Sequence, residues 1–249
     1  VNAGYQQEKN MPAYPQFIMF EGIDGSGKTT LARFFAELLA QRGKTIFDLP
    51  ETSKMSGKIP LPWQSKNEII FTAEPTRSWI GAAIREELIR KGTGYPASLV
   101  AEAYAMDRFI LYERLLVPML KKGVNVISDR GLPTSVSYQP IMAGGVSLGQ
   151  VLSYPGNKLA LEHAPGHLII VKCSAITAIA RLSARSSKKD DALFEKEDFL
   201  TKASERYESD WFRKLWEDCG TKVHYLNGEL PIEAVKTETM RLLNEIHPT

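Results

Sequence analysis

The sequence predicts an α/β fold, a mostly parallel sheet with helices on both faces. Short apolar runs at 17–21, 45–48, 69–73, 124–128, 167–172 and 222–226 read as buried strands. Apolar residues recur at helical spacing over 28–42, 79–90, 98–121, 176–185, about 195–217 and 231–245. The first strand runs straight into a glycine-rich turn at the head of the first helix. Strands alternating with helices make parallel sheets, and the ligands of such sheets gather at the C-terminal strand ends.

Phe17-Ile18-Met19-Phe20 suits a strand buried on both faces. Gly22-Ile23-Asp24-Gly25-Ser26-Gly27-Lys28-Thr29 matches G-x-x-x-x-G-K-[ST], followed by Leu31, Phe34, Phe35, Leu38 and Leu39 at helical spacing. Strand, loop and helix are the context this motif needs. Backbone N–H groups from Gly22 through Thr30 can turn toward a polyphosphate, helped by the helix dipole. Lys28 reaches the outer phosphates, and the Thr29 hydroxyl is placed for Mg2+.

The stretch 48–67 carries Pro50, Gly57, Pro60 and Pro62 and reads as an irregular excursion or hairpin, an inserted loop. The strand at 69–73 ends in Glu74-Pro75-Thr76-Arg77, and the next helix carries Arg85. On the long helix, Tyr104, Arg108, Leu111 and Leu115 form one stripe. It is either core with a snorkelling arginine, or an aromatic platform and arginine that grip a planar base. After the strand at 124–128, Asp129 is a strand-end carboxylate opposite the phosphate loop, suited to Mg2+, and Arg130 can hold a second anion. The Gly- and Pro-punctuated stretch 140–166 offers one helix near 146–153. Arg181 and Arg185 share a helix face before Ser186-Ser187-Lys188-Lys189-Asp190-Asp191, which is a solvated turn or a mobile flap over phosphate. Arginines at 77, 85, 108, 130, 181 and 185 exceed what one nucleotide requires and imply a second phosphorylated substrate.

The chain has 249 residues and is 43% hydrophobic, enough for one large domain over 17–249, with 1–16 as a flexible polar arm lacking the apolar block of a signal peptide. No run of about 18 apolar residues suggests a membrane span. A net charge of +2 gives no case for nucleic acid. Cys173 and Cys219 have no metal spacing and suggest no disulfide framework, which fits a cytoplasmic protein.

The ordered set of motifs resembles the thymidylate kinase family. FEGIDGSGKTT resembles its phosphate loop, TAEPTRSWIGAAIREEL its TREP segment, and EAYAMDRFILYERLLVPML its LLFAADRAQH helix. VISDRGLPTSVSYQ resembles its DRY segment, and RLSARSSKKDDALFEKEDF its lid. The resemblance implies a P-loop NTPase fold with a mostly parallel five-stranded sheet, helices on both faces and a mobile lid at about 181–197. It implies ATP as co-substrate with Mg2+ at Thr29 and Asp129, and conversion of dTMP to dTDP for dTTP synthesis. It also implies a homodimer.

By the same resemblance Asp24 meets the sugar 3′-hydroxyl, Glu74, Pro75 and Arg77 shape the acceptor pocket, and Arg85 and Arg130 hold its phosphate. Tyr104 stacks on the base and Arg108 bonds it, with Ser135, Tyr138 and Gln139 completing the wall. Lys28, Asp129, Arg181 and Arg185 are the catalytic set, Arg185 nearer the mobile end of the lid. Ala73 stands where the family often has Arg, and Gly131 where it usually has Tyr. Gly25 matches the branch that takes its arginine from the lid. The alternatives are another monophosphate or a nucleoside as acceptor, or a nucleotide-controlled regulatory module. A GTPase switch would show D-x-x-G and N-K-x-D, and Asn157-Lys158-Leu159-Ala160 fails at its fourth position.

Overall fold

The computed structural model describes residues 17–62, 67–184 and 196–246. The arm at 1–16, Arg185 and most of the lid segment lie outside them. β1 (Phe17–Glu21) is buried at every residue because it lies inside the sheet. β4 (Asn125–Asp129) pairs on one side of it and β5 (His167–Lys172) on the other. β3 (Ile69–Ala73) and β2 (Ile46–Asp48) extend the sheet past β4, and β6 (Lys222–Asn227) extends it past β5. Among the described residues the sheet has six strands in the order β2-β3-β4-β1-β5-β6, all parallel. The parallel sheet with helices on both faces and all six runs read as strands are found; only the count of five implied by the resemblance becomes six. β6 belongs because Val223 and Tyr225 pack on one core layer and Leu226 on the other.

The pleat divides the core. Ile18 and Phe20 face α1 (Lys28–Gln41) and α12 (Ile232–Ile246), which bury Leu31, Phe35, Leu39, Leu242 and Leu243 there. Phe17 and Met19 face a larger layer built from α4 (Ala97–Leu111), α6 (Leu132–Tyr138), α10 (Glu197–Tyr207) and α11 (Asp210–Glu217).

The 48–67 excursion begins as a helix instead of a hairpin or irregular loop: α2 (Leu49–Ser56). Asp48 caps it, accepting from the Glu51 N–H at 3.0 Å. Pro50 lies in the first turn, where a missing N–H costs nothing, and Gly57 closes the helix at φ 67°. The breakers mark the ends of the element. The stretch 140–166 holds two helices where one was expected, α7 (Leu148–Ser153) and α8 (Pro155–Glu162), the second again headed by proline.

The segment at 79–90 is α3 (Trp79–Ala83) running into a π turn, Ile84–Leu88. The long helix continues from α4 through a π turn, Tyr112–Leu116, into α5 (Val117–Lys121). Pro118 has no N–H to give, and the wider turn before it absorbs the lost bond. α9 (Ala175–Ser183) follows β5, and the helix expected to 217 is broken into α10 and α11 at Glu208 and Ser209. Among the described residues no helix is long and apolar enough to cross a membrane.

Candidate active site

The phosphate loop leaves β1 and turns into α1, and Gly25 lies against α9. A Cβ at 25 would sit 2.4 Å from the Ala178 carbonyl oxygen, so no side chain fits there unless α9 moves. Lys28 folds back to the Ile23 carbonyl at 3.1 Å and lies 3.8 Å from Asp24. Burial and nearby Arg130 push its pKa down to about 8, against the pull of Asp24, Asp129 and Glu21. Burial also works against the Asp24 charge, yet Arg130 and Lys28 hold its carboxyl below the usual range.

Sheet register lines up the rest. Ala73 and Phe20 both pair with Asp129, so the residues after β1, β3 and β4 meet at one edge. Asp129 is buried, and its Oδ1 has no hydrogen-bond partner. Arg130 adopts φ +75°, and its guanidinium reaches Asp24 at 2.5 Å, Thr134 Oγ1 at 2.8 Å and the Gly22 carbonyl at 3.3 Å. Asp24 is fixed from the other side by Tyr138, whose hydroxyl donates to Asp24 Oδ2 at 3.3 Å.

Arg108 is almost fully buried and held on three sides. Nε donates to Glu74 at 2.7 Å, Nη1 to Asn157, and Nη2 to Ser135 Oγ at 3.1 Å. Burial pushes Glu74 up to about 7 although Arg108 pulls it down, and its Oε1 has no partner. Asp107 accepts from the Thr76 N–H and hydroxyl at 2.7 and 2.6 Å, so α4 pins the 74–76 turn through two neighbouring residues. Arg85 donates to the Pro75 and Thr76 carbonyls, its Nε at 2.9 and 3.1 Å. Tyr104 is half-buried in the wall, and burial pushes its pKa up to about 12.

These groups line one cavity of about 550 Å³. Its lining takes Asp24, Gly25, Gly27, Lys28 and Thr29 from the glycine-rich loop and the start of α1, and Glu74, Pro75, Arg77, Arg85, Tyr104, Arg108, Asp129, Arg130, Ser135 and Tyr138 from the rest of the chain. Gly22, Ile23, Ser26 and Thr30 are in the loop or helix but off the lining. Gln139 corrects the expected wall: it is buried behind Ser135, donating to its Oγ at 3.2 Å. Arg181 lies on α9, 3.5 Å from the Ser26 carbonyl.

The family model described as thymidylate kinase matches residues 60–239. The chain belongs to the thymidylate kinase family. Its relatives include a probable thymidylate kinase of Methanocaldococcus jannaschii, 32% identical over 77% of this chain and 79% of that one. A probable thymidylate kinase of Caldivirga maquilingensis is 30% identical over 77% and 78%. The thymidylate kinase of Mycoplasma mobile is 31% identical over 77% and 81%. Membership makes this protein a transferase of the nucleoside monophosphate kinase class.

For a thymidylate kinase family member, the sequence reading missed four side chains that build the site. Glu21 could have been found, because it is the only charge in an otherwise apolar strand, FIMFE. Thr134 follows Arg130 by four residues, in the first turn of α6, a weaker signal. Asn157 and Tyr207 carry no local signal, since each meets the site only through the tertiary fold.

Proposed function

We propose that this protein transfers the γ-phosphoryl group of ATP to dTMP, giving dTDP, by direct in-line displacement. One observation carries the reading: the phosphate loop and a wall of arginines and aromatic rings share a single cavity. Lys28 and the loop amides hold the donor phosphates. Arg85 and Arg130 hold the acceptor phosphate, which brings its oxygen into line with the γ-phosphorus. Tyr104 packs on the thymine ring, Arg108 and Ser135 bond its edge, and Asp24 accepts from the 3′-hydroxyl. Arg181 reaches toward the loop from α9. Arg185, outside the described residues, is the lid's candidate for neutralising charge on the transferred group.

The buried, unpartnered Asp129 Oδ1 and the Thr29 hydroxyl are hard oxygen donors, which suits Mg2+. When bound there, Mg2+ supplies charge neutralisation on the phosphate oxygens. Free thiols at Cys173 and Cys219 fit a cytoplasmic setting, and a homodimer is the expectation carried by the resemblance. The test is product formation from ATP with a panel of nucleosides and monophosphates. dTDP from dTMP is the expected main product. A preferred nucleoside, or a preferred monophosphate with another base, overturns the assignment.

A further inference from the structure

Glu21 takes no part in the chemistry above and is not on the cavity lining, yet it is completely buried and four donors converge on it. Its Oε1 accepts from the Gly131 N–H at 2.8 Å and the Thr134 N–H at 3.1 Å, which caps the start of α6. Its Oε2 accepts from the Thr134 hydroxyl at 2.7 Å and the Tyr207 hydroxyl at 2.9 Å. The Thr134 hydroxyl gives its proton to Glu21, so it turns a lone pair toward Arg130 Nη1 at 2.8 Å. The guanidinium itself lies 3.9 Å from Glu21, too far for a direct hydrogen bond. A second observation concerns the backbone. Arg130 is a non-glycine residue at φ +75°, held there by its N–H on the Phe20 carbonyl at 2.9 Å and its own carbonyl on Ser128 Oγ at 2.6 Å. The main chain aims the side chain, and the carboxylate fixes where it ends.

We infer that Glu21 is a positioning residue for the acceptor-phosphate site: through the Thr134 hydroxyl it sets the place and hydrogen-bond direction of the Arg130 guanidinium, and through Tyr207 it ties that setting to α10. Glu21 touches no substrate. It acts by drawing the Thr134 proton at 2.7 Å, closer than the Tyr207 hydroxyl at 3.2 Å, which leaves a Thr134 lone pair for Arg130. The inference rests on the reading in which Arg130 holds the acceptor phosphate.

Kinetics with ATP and dTMP varied separately test it, and the wild type alone tests the functional reading. Thr134→Val keeps the shape and removes the relay. It should raise the dTMP KM about tenfold or more, the loss expected of a hydrogen bond to a charged group, with the ATP KM within about twofold. Thr134→Ser should restore most of the loss. Glu21→Gln puts an amide N–H where Oε2 stood, and Tyr207→Phe removes one donor. Both should shift the dTMP KM in the same direction by less. Thr134→Val with Glu21→Gln should be no worse than Thr134→Val alone, because the two sit in one chain. Where Glu21→Gln fails to fold, Tyr207→Phe replaces it in the double variant. An effect confined to Thr134→Val means that its hydroxyl touches substrate directly, and it overturns the relay. Additive losses, or equal changes in both KM values, overturn it as well.

Discussion

Lys28 and Arg108, both expected from sequence to be cations facing a nucleotide, line the same cavity, but their surroundings give them different liabilities. Lys28 has a pKa of about 8 in the unliganded protein, so it is charged below that pH and neutral above it. Phosphates favour the charged form. ATP affinity should therefore be flat below pH 8 and fall above it by up to about tenfold per pH unit, with a proton taken up on binding. Calorimetry across that range in two buffers checks both sign and proton count, and Lys28→Ala should remove the dependence along with nearly all turnover. Arg108 is a buried partner of a buried carboxylate at 2.7 Å, so its loss is not confined to substrate binding. Arg108→Ala leaves buried Glu74, already pushed up to about 7, to take a proton and strips Glu74 and Asn157 of their donor, which should cost about 1–3 kcal/mol of stability. A melting temperature close to wild type, with only the dTMP KM raised, would place Arg108 in the role the sequence alone suggests.

Elements decide how such residues meet. α8 comes against α4 so closely that a Cβ on Gly156 would lie 1.9 Å from the Ala105 carbonyl oxygen. Gly156→Ala must push the helices apart, at a cost of about 1–3 kcal/mol, and should lower the melting temperature by roughly 2–12 °C. Asn157, the next residue, then shifts off Arg108, so the dTMP KM should rise while the ATP KM holds. Scanning calorimetry and two-substrate kinetics read the two effects separately. The same contact marks the limit of the sequence reading. Strands and the phosphate loop were legible because apolar runs and glycine spacing are local. The residues after β1, β3 and β4 were legible because strand ends in a parallel sheet converge. α2 and α8 were not, because prolines that open a helix look like prolines that prevent one. Asn157 was hidden for a deeper reason: its partner is 49 residues away, and only helix packing joins them. Gln139 was placed one layer too far forward, because sequence spacing gives a helix face but not the depth of a wall.

At the scale of the whole molecule, one cavity joins residues from both halves of the chain, so a ligand there holds the fold together. dTMP at about 100 times its dissociation constant should add about 2.7 kcal/mol, or roughly 5–11 °C in melting temperature. Thermal melts with dTMP, ATP and both test this, and Arg130→Ala should lose the dTMP increment and keep that of ATP. The sheet order has a further consequence, for assembly. β1 leads into the phosphate loop and precedes its sheet neighbours, β4 and β5, by about 100 residues or more of chain. Until those strands exist, β1 has two open edges, and only α1 is at hand to cover one of its apolar faces. Pairings so distant in sequence are slow to close and leave such edges open to other chains in the meantime. The glycine-rich loop is thus made before either strand that flanks β1 in the sheet, and both edges of β1 are closed only once the growing chain has reached β5.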